Sequence, residues 1–189
     1  YYLLQIQAKD KSYEDITSDT LVFIIQNYYD KKNDYEMAAL ATFYCGRVRQ
    51  EQKRYEQALH TYLDGEKYLL KSSNNNLKGL FQSAIGQVYY KQFLKDEAIA
   101  HFKLAESFLH QAGNHKNEII SNNFIGNCLL MQKKTDSAFV YYFKALAIAD
   151  KQQIKNKQAE IRQNLGVAYR ELKDWGQAET FFKEAMKFS

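Results

Sequence analysis

The sequence contains no proline in 189 residues, two cysteines and only 8 glycines. Proline is the residue that helix interiors tolerate least, so its absence leaves every segment free to be helical. Two cysteines exclude a disulfide-stapled fold. Cys45 and Cys128 fall among apolar positions of candidate helices, about two repeat units apart. Stacked helix layers are separated by roughly 8–10 Å each, whereas a disulfide needs Cα atoms within about 7 Å. Both are therefore expected as buried free thiols, which points away from an oxidising compartment. No stretch has the apolar length of a membrane span or the layout of a signal peptide. An excess of one charge is also lacking: 26 Lys and Arg stand against 22 Asp and Glu, for a net charge of +4. The charges are spread along the chain, as solvated outer faces require, and direct nucleic-acid binding is not expected. No glycine-rich phosphate loop and no activated nucleophile occurs. His60, His101, His110 and His115 show no metal-ligand spacing, although His110 and His115 bracket Gly113. No catalytic residue, metal site or cofactor is expected, and the chain does not read as an enzyme.

What is present is periodicity. Apolar residues make up 46% and aromatics 15% of the chain, and they recur at helical spacing. Phe81, Ala84, Ile85, Val88 and Tyr89 mark one amphipathic helix; Ala98, Ile99, Phe102, Ala105 and Phe108 mark a second, folded back on the first. Every feature of this hairpin returns after 40 residues. Glycine stands at Gly46, Gly86, Gly126 and Gly166. Alanine follows at Ala58, Ala98, Ala138 and Ala178, then an aromatic at Tyr62, Phe102, Tyr142 and Phe182. A second small residue closes each set at Gly65, Ala105, Ala145 and Ala185. The glycine and alanine columns are expected where paired helices cross closely.

The reading that follows is all-α, a right-handed α-α superhelix of helical hairpins. Its units span about 35–74, 75–114, 115–154 and 155–189, after a degenerate hairpin at 1–34. In that first unit Ile6, Ser18, Val22 and Ile25 occupy the four columns, so the shape persists while the signature decays. Ser18 is placed to cap a helix. Ser72 to Asn76, Gly113-Asn114 and the polar run Lys151 to Lys157 separate the units.

These columns resemble the tetratricopeptide repeat over about residues 35 to 189. The likeness rests on Ile85-Gly86, Tyr89, Ala98, Phe102 and Ala105, and on Leu165-Gly166, Tyr169, Ala178, Phe182 and Ala185. The family's usual period is about 34; here it is 40, and the proline that commonly ends a unit is missing. The added residues fall between units, implying second helices about one turn longer. Repeats of this length look like those of bacterial sensor and regulator proteins, in which a signal-binding array is joined to a membrane segment and an output domain. The resemblance thus implies a cytoplasmic or extracytoplasmic part of a membrane-linked sensor.

In the family the concave face is lined by first helices, just before and after the glycine. Carried onto this chain, those positions are Phe43, Ser83, Asn123 and Gln163; Arg47, Gln87, Asn127 and Val167; and Gln50, Tyr90, Leu130 and Arg170. The residues expected to bind a protein or peptide segment are Arg47, Gln87, Tyr90, Asn123, Asn127, Gln163 and Arg170. Amide side chains carry both donor and acceptor and so meet an extended backbone with two bonds. Asn123 and Asn127, four apart, share a helix face. The family's clamp for a peptide carboxylate uses lysine and asparagine where this chain has Phe43 and Arg47, which speaks against that specialised role. The alternative is a structural scaffold that self-associates without a discrete ligand. The last helix favours association: Phe181, Phe182, Ala185, Met186 and Phe188 cover too much of its circumference for one neighbour to bury. The opening Tyr-Tyr-Leu-Leu, without an initiating methionine, reads as a cut from a longer protein, and at least one helix is expected beyond Ser189. In this fragment, accordingly, that end is expected to be covered by another molecule or left as an exposed patch.

Overall fold

The computed structural model describes residues 20–188, and these are built from nine α-helices. The column assignments Ile6 and Ser18 lie outside the described residues. Helix α1 (Thr20–Lys31) precedes four hairpins: α2 (Tyr35–Glu51) with α3 (Tyr55–Leu69), α4 (Asn75–Lys91) with α5 (Lys95–Gln111), α6 (His115–Met131) with α7 (Thr135–Lys151), and α8 (Lys155–Glu171) with α9 (Trp175–Met186). In the two middle hairpins each helix is 17 residues long. First and second helices are therefore equal in length, so the added residues of the long period are not confined to the second helices. The period divides into two equal halves, each a helix and a three-residue link.

Those links explain how the chain turns so tightly without proline. Lys53, Phe93, Lys133 and Lys173 inside the hairpins, and Asn33, Gly113 and Gln153 between them, have φ between 53 and 66°. The amide after each left-handed residue reaches back over the helix end, as in Asn114 N–H to Leu109 C=O (2.9 Å) and Lys134 N–H to Leu129 C=O (2.9 Å). This is a Schellman closure, which satisfies carbonyls left free at a helix end. Only Gly113 brings the residue that adopts this conformation without strain. The polar run at 151–157 is mostly helical, with only 152–154 outside α7 and α8. Three of the four first helices begin on side-chain caps spaced 40 apart, Asp34, Asn74 and Asn114 accepting from Met37, Leu77 and Asn117, while the fourth starts at Ile154 without one. Each such cap contributes about 1 kcal/mol.

Packing follows the columns. Ala58, Ala98 and Ala138 are fully buried, and Tyr62, Phe102 and Tyr142 with them. The aromatic of each second helix lies against the glycine of its own first helix: Tyr62 on Gly46, Phe102 on Gly86, Tyr142 on Gly126 and Phe182 on Gly166. The second small column faces the next hairpin instead, since a Cβ on Gly65 would run into the Phe81 ring. Cys45 and Cys128 are both buried and are not joined in a disulfide.

Each helix packs on its sequence neighbours, and the first helices of successive hairpins also touch one another directly. Neighbouring second helices meet through the ends of long side chains, as in Lys144 Nζ to Glu106 Oε1 at 2.9 Å and the Phe143–Phe181 rings at 6.2 Å. A stack that is tighter along one row than the other bends, with the first helices on its inner side.

Candidate binding face

The inner row is joined across every seam between hairpins. At the first, Gln50 Nε2 donates to Gln87 Oε1 (3.4 Å), and Gln87 Nε2 donates to Ser83 Oγ (3.4 Å). At the second, the Tyr90 and Phe124 rings meet edge to face at 5.0 Å, and Phe124 stacks on Phe102 at the same distance. At the third, Asn164 Nδ2 donates to Asn123 Oδ1 (2.8 Å) while Asn123 Nδ2 donates to Glu160 Oε1 (2.9 Å). Lys157 Nζ holds the other Glu160 oxygen at 2.6 Å. The first helices thus form one continuous surface rather than four separate ridges.

The residues singled out from sequence are placed unequally on it. Gln163 and Arg170 are exposed, and Arg47, Gln87, Tyr90 and Asn127 are half-buried. Arg47 extends along its own helix to Glu51, 3.4 Å away. Asn123 is buried, with 3% of its surface exposed, and both ends of its amide are committed to the third seam. It braces the face from beneath. Near the second seam Tyr142 bonds Asn127 and lies within electrostatic reach of Tyr90 and Cys128. Burial raises the Tyr90 phenol above its ordinary range and pushes the Cys128 thiol up to about 11. Neither ionises at neutral pH, so this seam presents neutral hydrogen-bonding groups beside aromatic surface.

Sequence reading missed two participants because they lie on the second helices. Tyr62 and Tyr142 belong to the aromatic column, and their rings are core. Their hydroxyls nevertheless pass through to the inner row: Tyr62 O–H donates to Gln50 Oε1 (3.1 Å) and Tyr142 O–H to Asn127 Oδ1 (2.7 Å). The signal available in sequence was the alternation of Tyr and Phe down that column.

Elsewhere, the buried Glu118 carboxylate is met by His110 Nδ1 at 2.9 Å and His115 Nδ1 at 3.1 Å. Among the described residues no group of three or more His, Cys, Asp or Glu is arranged to hold a metal ion. No described helix is long and apolar enough to cross a membrane.

Comparison with known proteins agrees with this architecture. Residues 117–189 match the tetratricopeptide repeat model. No curated protein matches the sequence at a significant level. Among solved structures, the chain is similar to apo RapI (TM-score 0.72, 18% identity), covering 90% of this chain and 50% of that one. It is also similar to the Rap conjugation gene regulator of plasmid pLS20 in complex with a peptide (TM-score 0.68, 20% identity, 83% of this chain and 44% of that one). BtubC from P. vanneervenii shares the fold across the whole chain and 74% of its own length (TM-score 0.76, 16% identity). The chain spans about half the length of the two Rap proteins. At these identities the likeness is one of fold: the chain folds as a tetratricopeptide-like helical solenoid, and its residues 117–189 match the repeat model itself.

Proposed function

We propose that this chain is a protein- or peptide-binding module, the sensing or interaction part of a larger bacterial regulatory or signalling protein. The segment it binds lies along the inner row of first helices and contacts Arg47, Gln87, Tyr90, Asn127, Gln163 and Arg170, with Asn123 bracing them. The observation that carries this reading is the continuity of that row across all three seams. Such a surface suits an extended segment, which can take one or two hydrogen bonds from each hairpin. Each is worth about 0.5–1.5 kcal/mol net, so a groove of four hairpins reaches useful affinity only by summing them. The peptide held by the pLS20 Rap regulator supports the choice of ligand class.

The test is selection of linear peptides from a random library on the purified chain, followed by titration against Asn127→Ala and Arg170→Ala. We expect selected peptides to bind the wild type and to bind both variants more weakly, with melting temperatures nearly unchanged. Failure to retain any peptide, or equal binding by the variants, rejects the groove. Self-association without a discrete ligand is the second reading, favoured by Trp175 and Met186, which are 64% and 67% exposed on the last helix.

A further inference from the structure

We infer that Tyr142 is a positioning residue for the groove: its hydroxyl holds the Asn127 carboxamide with both N–H donors turned toward the bound segment. The inference rests on the binding role proposed above and specifies what the ligand must offer at the second seam.

Tyr142 is fully buried, with its ring against Gly126. Its hydroxyl donates to Asn127 Oδ1 at 2.7 Å. Burial drives the phenol's ionisation upward, with the neighbouring Tyr90 and Cys128 acting in the same direction, so the group remains a donor. A carboxamide is planar, and fixing its oxygen inward fixes its nitrogen on the opposite side. The Asn127 side chain makes no other hydrogen bond among the described residues, and its Nδ2 is not a buried unpaired atom. Nδ2 therefore reaches solvent, with no hydrogen-bond acceptor for it among the described residues.

Packing does not require this hydroxyl. Phe102 and Phe182 occupy the same column and fill the same space against Gly86 and Gly166 without one. Hairpin one repeats the device: Tyr62 O–H orients Gln50, whose Nε2 is then directed at Gln87. There the oriented donor meets a neighbouring hairpin. At Asn127 it meets no acceptor among the described residues. A carboxamide presenting only donors selects an acceptor, which an extended segment supplies as a backbone carbonyl and a chain end supplies as a carboxylate.

The test needs two readouts. In labelled protein, Tyr142→Phe should lower the order parameter of the Asn127 side-chain NH2 from the rigid range to below about 0.6, whereas Tyr62→Phe should leave it alone. An Asn127 amide equally rigid in Tyr142→Phe overturns the inference. For binding, peptides selected on the wild type are made both C-amidated and as free acids. Tyr142→Phe should weaken them about 3- to 10-fold. Asn127→Asp keeps an acceptor for Tyr142 but presents no donor, and should weaken them at least as much; it also serves if Tyr142→Phe fails to fold. Loss that is the same for both peptide forms assigns the acceptor to the backbone, and loss confined to free acids assigns it to the carboxylate. Wild-type affinity in both variants overturns the inference. If no peptide binds the wild type, the binding role fails, and the Asn127 order parameter alone decides whether Tyr142 positions the amide.

Discussion

Gly126 lies against the ring of Tyr142 so closely that a Cβ placed on it would sit 2.5 Å from Cε1. The same relationship links Gly166 with Phe182 at 2.6 Å and Gly86 with Phe102 at 3.0 Å. Two opposing effects decide what alanine would do here. Within a helix, replacing glycine by alanine gains about 1 kcal/mol. Overpacking a filled crossing costs about 1–3 kcal/mol. At Gly126 the ring must shift, so Gly126→Ala should be destabilising. At Gly86 the contact is looser and the effects nearly cancel. Urea denaturation of the two variants should rank them in that order, and equal midpoints would refute the assignment.

Ala98 is fully buried in the same crossing. Ala98→Leu should lower stability by about 1–3 kcal/mol, measured as a shift in thermal midpoint. An unchanged midpoint would mean the helices do not cross there.

Asn123 and Asn127 share a helix and differ in role. Removing the buried Asn123 amide takes one hydrogen-bond partner from Glu160, which keeps Lys157, and one from Asn164 across the third seam. Asn123→Ala should cost about 1–3 kcal/mol of stability. Gln163→Ala, at an exposed position, should fall within about 0.5 kcal/mol of wild type. Chemical denaturation read for both separates bracing from contact; a costless Asn123→Ala would return that residue to the ligand-facing set.

The period and its columns made the hairpins legible, because glycine, alanine and aromatic positions answer to one repeated crossing. Gly113 announced its turn, since it has the conformational freedom the link requires. The other links were hidden, because Lys53, Phe93, Lys133 and Lys173 adopt positive φ under the demand of packed helices on either side. Local propensity does not reveal that. On the inner face, the spacing marked Asn123 and Asn127 alike. Their difference depends on Glu160 and Asn164 from the next hairpin and on Tyr142 from the partner helix, contacts that no single-helix pattern contains.

Alkaline pH should weaken the fold. The Cys128 thiol titrates at about 11 in the folded chain against an ordinary 9.0, chiefly because it is buried. Tyr142 is shifted upward for the same reason. Above pH 9 the unfolded chain therefore releases a proton that the folded chain keeps, and stability falls as pH rises. Below pH 9 both forms hold the proton and the contribution is complete. Melting curves between pH 8 and pH 10.5 should decline, less steeply in Cys128→Ala. A slope identical in the variant would show that this thiol does not contribute.

The last hairpin supplies the final expectation. Tyr62, Phe102 and Tyr142 are 0% exposed, yet Phe182, in the same column and against the same glycine, is only half-buried. Tyr62 and Phe102 are covered by Phe81 and Phe124 from the first helix of the next hairpin; among the described residues no helix follows α9. The same helix leaves Trp175 and Met186 in water, with Leu172 51% exposed in the link before it. At about 25 cal/mol per Å², covering even a few hundred Å² of such surface favours association by several kcal/mol before ordering costs. We therefore expect this chain to self-associate in a concentration-dependent way through α9. Met186→Glu and Trp175→Glu should each shift it toward the monomer in sedimentation velocity, with helical content unchanged. A wild-type chain that stays monomeric at the highest attainable concentration would remove this face as an association surface.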